Sequence, residues 1–216
     1  MNRKILFISV AVLLVLAFAV AMVLFQEKKT SQQSASVSQN LILIERKGAP
    51  IKGPNDAKVT IVEFFDPACG TCRDFHPLTK QLIDKYPGKV RVMLRYAPLH
   101  PGSDQVVKML EAARYQGKFW QALELLFGNQ HRWVINHTSQ PMRALALLNS
   151  LNMDQDKFTV DMERPEVAQT IRQDVRDGQT LNVRATPEFF VNGRPMPSFG
   201  YEPLSKLVKA AVADAY

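Results

Sequence analysis

Outside one four-residue window this chain has no cysteine: of 216 residues only Cys69 and Cys72 are thiols. That scarcity excludes a disulfide framework, because no second pair exists to span the chain, and it excludes a four-cysteine zinc site, which needs twice as many sulfurs. A bond between these two would close a very short loop, worth roughly 2 kcal/mol in chain entropy, little for a structural staple. Histidine is sparse as well, with four in all. His76, one helical turn past Cys72, can add a third metal ligand, whereas His100, His131 and His137 show no finger-like spacing. The eight methionines form no M-x-x-M cluster of the kind that binds copper. The favoured reading is a dithiol that opens and closes, with a metal-handling pair as the alternative.

Long blocks of one charge are also missing. The formal net charge is +7, but removing Arg3, Lys4, Lys28, Lys29 and Glu27 from the 27 basic and 20 acidic residues leaves 23 and 19, or +4. No Lys/Arg block longer than two residues and no aromatic-basic interleaving follows, so nucleic acid is not an expected partner.

Charge is absent altogether from Ile5 to Phe25, a run of 21 residues broken only by Ser9. As a helix it would be about 32 Å long, enough to cross a hydrocarbon core of about 30 Å. A cleaved signal would have a shorter apolar region, although Ala17-Phe18-Ala19 and Ala19-Val20-Ala21 fit the small-residue cleavage pattern. An uncleaved anchor over residues 1–25 is expected, with Arg3 and Lys4 keeping the N-terminus cytoplasmic. In a bacterium this places the chain in the inner membrane as a single-pass protein with its body periplasmic, where disulfides form and persist. Residues 26–40, polar and Ser/Gln-rich, read as a flexible linker reaching about 20 Å. Residues 41–216 are one domain's worth of chain.

Within that stretch Leu41 to Gly48 opens with an apolar run expected to be a first strand, followed by turn chemistry in GAPIKGPND. KVTIVEFF (58–65) is a nearly continuous apolar run suited to a strand buried on both faces. Glu63 interrupts it. Burial there would raise its pKa, while a partly solvated strand end would leave it ordinary. After the cysteines, Phe75, Leu78, Leu82 and Ile83 share a helical face, Pro77 lies within the helix and Pro87-Gly88 ends it. Cys69 therefore falls at the helix N-terminus. KVRVMLRY (89–96) alternates as the next strand, completing a right-handed βαβ unit with a parallel pair. From about 103 to 178 the period is helical, with Ser103 and Ser139 as N-caps and Gly117, Gly128 and Gly178 as stops. Phe119, Trp120, Leu123, Leu126, Phe127 and Met142 form stripes expected to pack in a core. Asn192-Gly193 signals a hairpin, and Glu202 to Ala215 an amphipathic final helix.

These residues carry a family likeness. VEFFDPACGTC, the helix with Pro77, YAPLHPGS, GKFWQALELLFGNQ and RATPEFFVNGR occur in order between about Gly48 and Tyr216. Together they resemble the DsbA-like thiol-disulfide oxidoreductases of the thioredoxin superfamily. The resemblance implies an α/β, thioredoxin-like fold with an inserted helical domain, here preceded by a single N-terminal transmembrane helix. It implies that Cys69 is the exposed nucleophile, that Cys72 resolves the mixed disulfide, and that Pro187 follows a cis bond from Thr186. Glu63 matches the family's buried acid, and Thr186, Pro187, Gly70 and Thr71 would meet the substrate. A helix N-terminus lowers the Cys69 pKa and makes the disulfide a better oxidant. Glu63 would accept the Cys72 proton. Gly70-Thr71 stands where the best-known pattern has Pro-His, so no imidazole cation lies between the cysteines.

The expected activity is oxidation of cysteine-containing client proteins by a Cys69–Cys72 disulfide, with no cofactor. A membrane redox partner, such as a quinone-linked oxidase, would restore the disulfide. The alternatives are a reductase or isomerase kept reduced by a membrane electron donor, or a metal-handling module.

Overall fold

The computed structural model describes Phe18, Met22, Phe25 and residues 40–216. The expected anchor at 5–25, apart from those three residues, and the linker before residue 40 lie outside the described residues. Phe18, Met22 and Phe25 are helical and exposed. Among the described residues no helix is long and apolar enough to cross a membrane. Residues Leu41–Tyr216 form a compact unit of their own.

The centre of that unit is β2 (Val59–Phe65), every residue of which is buried. It pairs in parallel with β3 (Val90–Tyr96), the two joined by α1 (Gly70–Lys85), which is the expected βαβ unit. On its other side β2 pairs antiparallel with β6 (Glu188–Val191), and β7 (Arg194–Pro195) completes a hairpin. Asn192 and Gly193, at φ 46° and 78°, form the turn. β1 (Ile51–Lys52) runs antiparallel to β3, giving the sheet order β1-β3-β2-β6-β7. Strand period sorts the side chains of β2 between the two faces. Val62 and Phe64 pack with Ile44, Met93 and Phe190, whereas Val59, Ile61 and Phe65 pack with both cysteines and the main core. By the same parity Glu63 lies on the cysteine face.

The chain leaves β3 for α2 (Ser103–Tyr115), α3 (Phe119–Gly128), α4 (Gln130–Trp133), α5 (Pro141–Leu148), α6 (Gln155–Met162) and α7 (Pro165–Thr180). It returns through β6 and β7 to α8 (Tyr201–Ala215). A small hairpin, β4 (Val134–Ile135) with β5 (Thr138–Ser139), interrupts the helical block where the sequence pattern gave no sign of it.

Several local expectations are corrected. Residues 41–44 are helical, with Glu45 N–H donating to the Leu41 carbonyl, and the edge strand lies further on, in the stretch read as a turn. A short apolar run fits either state, and here Ile44 is buried beneath the sheet. The cap of α2 is Gly102, and the Ser103 hydroxyl instead meets Asp66 and the His100 carbonyl. The cap of α5 is Gln140, because Ser139 belongs to β5. Gly178 does not end α7: a Cβ there would stand 3.4 Å from the Phe64 ring, so glycine lets the helix approach the sheet. Met142 faces solvent at 75% exposure, while Phe119, Leu123, Leu126 and Phe127 are core.

A buried ionic cluster holds the segment after residue 40 to the domain. Arg95, fully buried, donates to Asp174 (2.6 Å), to Asp177 (2.5 Å) and to the Leu43 and Ile44 carbonyls (2.7 and 2.8 Å). Arg46 adds a second cation on Asp174 at 2.7 Å.

Candidate active site

Cys69 is the N-cap of α1, in extended conformation (φ −74°, ψ 121°), directly after the turn that leaves β2. That turn is built by Asp66. Its fully buried carboxylate accepts from Ala68 N–H at 2.8 Å, from the Leu99 and His100 N–H groups at 2.7 and 2.8 Å, and from the Ser103 hydroxyl at 3.1 Å. The His100 ring lies 2.9 Å from the same carboxylate. Charge-assisted bonds of this kind are about twice as strong as neutral ones, so Asp66 fixes where α1 begins.

From the insertion, buried Gln130 reaches back, its Nε2 donating to the Pro67 and Cys69 carbonyls, both at 3.0 Å. Neither Asp66 nor Gln130 was singled out from the sequence. The Asp-Pro dipeptide after a strand is a turn signal that could have marked Asp66. No sequence signal marks Gln130, which acts across 61 positions.

The loop before β6 also reaches Cys69. Thr186-Pro187 is a cis peptide, as the resemblance implied, and the Cys69 Sγ lies 3.2 Å from the Thr186 carbonyl oxygen. Pro187 is buried and Thr186 half-buried. This loop covers the sulfur: Cys69 is only 7% exposed, shielded where an exposed nucleophile was expected, and Cys72 is 0% exposed. Thr71 is exposed and Gly70 half-buried. Both cysteines are free thiols.

The two sulfurs differ electrostatically. The Cys69 pKa is lowered from 9.0 to about 5 by a hydrogen bond from the Cys72 thiol, then, against the opposing effect of burial, by bonds from Thr186 and from the Cys72 and Thr71 N–H groups. Those last donors are the unsatisfied amides of a helix's first turn. The Cys72 thiol is pushed well above its ordinary value, chiefly by burial and next by the neighbouring Cys69 sulfur. Glu63, 2% exposed in the middle of β2, is raised to about 8 by burial and by the Cys69 charge. It is thus a buried acid, and at neutral pH it carries its proton. His76 turns toward Trp120 and Phe127, with ring centroids 6.4 and 5.4 Å away. Among the described residues no group of three His, Cys, Asp or Glu converges as a metal site.

The arrangement brings together one ionised sulfur, one protonated sulfur, a proton-bearing carboxyl and a backbone carbonyl beside the sulfur, which suits thiol-disulfide exchange. A family model described as thioredoxin matches residues 45–210. A thioredoxin-like oxidoreductase from Silicibacter pomeroyi is 32% identical, with a TM-score of 0.68, covering 78% of this chain and 95% of that one. BdbD from Bacillus subtilis is 25% identical, with a TM-score of 0.64, over 77% of this chain and 94% of that one. Among curated proteins, the Na(+)/H(+) antiporter NhaA 3 of Salinispora tropica is 34% identical over 169 residues, 76% of this chain and 25% of the antiporter. The chain spans about a quarter of the length of the curated relatives it matches.

Proposed function

Because this chain belongs to the thioredoxin family, among its DsbA-like thiol-disulfide oxidoreductases, we propose that it oxidises client cysteines outside the cytoplasm from an anchor at residues 5–25. The observation that carries the direction is the Cys69 pKa of about 5. A thiolate this stable favours the reduced enzyme, so the oxidised enzyme readily gives up its disulfide.

In the first step a client thiolate attacks the Cys69 sulfur, the Cys69–Cys72 bond breaks, and Cys72 leaves with the electron pair and takes a proton. Glu63, whose pKa burial raises, is the donor within the buried site, and it recovers its proton from solvent. Its role in this direction is the reverse of the acceptor expected from the sequence. A second client thiolate then attacks the client sulfur of the mixed disulfide, and Cys69 leaves as a thiolate. Two client thiols have become one disulfide, and the two electrons rest on the cysteine pair. The low Cys69 pKa makes it a good leaving group in that second step. Beside the sulfur, the Thr186 carbonyl offers an extended client segment a backbone hydrogen-bond acceptor.

The charge-free run Ile5 to Phe25 supports anchoring. The relatives named as antiporters share only about a quarter of their length with this chain, so their named activity is not carried over. In this reading a membrane partner, such as a quinone-linked oxidase, restores the disulfide. Trapping free thiols by alkylation in intact cells tests the direction: Cys69 and Cys72 are expected to rest oxidised. A pair that rests reduced would instead assign the protein to disulfide reduction or isomerisation.

A further inference from the structure

Beside the cysteines, on the insertion side, lies an open groove of about 370 Å³ that thiol chemistry alone does not require. It is lined by Ala68 and Gly70, the two neighbours of Cys69, with Arg73 and Gln130, and by His131, Val134, Asn136 and His137 from the insertion. No carboxylate lines it. Its polar character comes from a guanidinium, two exposed imidazoles and two amides.

Arg73 is held in place for binding. Its guanidinium meets Asp74 at 2.8 Å and Gln130 Oε1 at 3.3 Å, and its Nη2 stands 4.0 Å from where a Gly70 Cβ would be. The cation is thus folded back over the first turn of α1, next to the reacting cysteine. The Asp74 side chain is 63% exposed and that of Arg73 43%, and the bonds to Asp74 and Gln130 leave guanidinium N–H donors free. Also lining the groove, Asn136 and His137 adopt positive φ (48° and 59°) at the tip of the β4–β5 turn. The helix dipole adds positive potential at the same end.

We propose that this groove is a carboxylate-binding subsite that takes an acidic side chain of the client polypeptide close in sequence to its reacting cysteine. The inference rests on the exchange activity proposed above and adds a substrate preference to it. A planar guanidinium suits a carboxylate, and the imidazoles supply an N–H donor in either protonation state. A polypeptide fits better than a small thiol because both sequence neighbours of Cys69 line the groove while the Thr186 carbonyl lies 3.2 Å from its sulfur, so that one extended chain can meet both.

The test uses the full chain, oxidised at Cys69–Cys72, and dithiol peptides identical except for Glu, Gln or Lys beside one cysteine. The expected second-order rate for Glu exceeds that for Gln by about two- to fivefold at low salt, the range of a single exposed ion pair, with Lys slower than Gln. Added salt narrows the gap. In Arg73→Gln the Glu/Gln ratio falls to near one, and Arg73→Lys keeps part of it. Substituting the exposed Lys209, outside the groove, by Gln removes an equal charge and leaves the ratio intact. Equal rates for the three peptides, an undiminished ratio in Arg73→Gln, or an equal loss in Lys209→Gln would overturn the subsite. A preference for glutathione over its diester, which lacks both carboxylates, that is not matched with the peptides would overturn the polypeptide assignment. Failure to oxidise any peptide would count against the exchange activity itself, a separate result.

Discussion

The pH dependence of the reduction potential reads the asymmetry of the two sulfurs directly. With Cys69 ionising near 5 and Cys72 held well above its ordinary value, reducing the disulfide at neutral pH takes up one proton with two electrons. For a two-electron couple, tenfold in the equilibrium constant is about 30 mV, so one proton gives about 30 mV per pH unit and two give about 59 mV. Between pH 6 and pH 8 the potential should therefore fall by about 60 mV, against about 120 mV for a pair of ordinary thiols. Glu63 adds a small term. The thiolate contributes to its raised pKa, so the reduced enzyme holds the Glu63 proton more tightly than the oxidised one, which steepens the slope slightly near pH 7 to 8. Glu63→Gln should remove that extra steepness and keep the slope of about 30 mV. Equilibrating the protein with glutathione or dithiothreitol at several pH values, with alkylation to count thiols, measures it. A slope near 59 mV per pH unit throughout would refute the reasoning, because Cys69 would then be protonated at neutral pH like Cys72.

Glu63 also bears on stability. Its folded pKa of about 8 lies above the ordinary 4.5, so between those values the folded protein holds a proton that the unfolded chain releases. The Glu63 contribution to stability should therefore fall as pH rises through this window, by about 4 kcal/mol for a fully buried acid, while Cys69, ionising near 5 in the folded state against an ordinary 9.0, contributes with the opposite sign. In urea unfolding of the reduced protein, Glu63→Gln should gain stability relative to the wild type between pH 5 and pH 8. Arg95→Met leaves Asp174 and Asp177 short of a buried partner and should cost about 3 to 5 kcal/mol in denaturant unfolding, a loss under about 1 kcal/mol counting against the cluster as a clasp. Gln130→Ala removes the donor to the Pro67 and Cys69 carbonyls and should cost about 1 to 3 kcal/mol. If Gln130 also positions the sulfur, thiolate absorbance titration of that variant will show a higher Cys69 pKa; an unchanged value would confine Gln130 to stability.

The βαβ unit, the Cys69 position at a helix start, the Asn192-Gly193 hairpin and the final helix were legible because their signals are local: an apolar period, a turn dipeptide, a two-residue spacing between thiols. Local signals failed where they are degenerate. Leu41 to Ile44 could be strand or helix, and only burial of Ile44 under the sheet, with the Leu43 and Ile44 carbonyls on Arg95, decided it. Parity along β2 was enough to put Glu63 on one face. What lies on that face was not readable.

The amino-acid order by itself determined that two thiols stand one turn apart at the head of a helix behind a buried strand. The tertiary structure alone decided what surrounds them: the Thr186 carbonyl from 117 positions away, Gln130 from across the insertion, and the Arg73 groove. The reason is physical. Periodicity and turn chemistry act over a few residues, whereas desolvation and hydrogen bonding depend on which distant segments pack together, and these set the pKa of each sulfur.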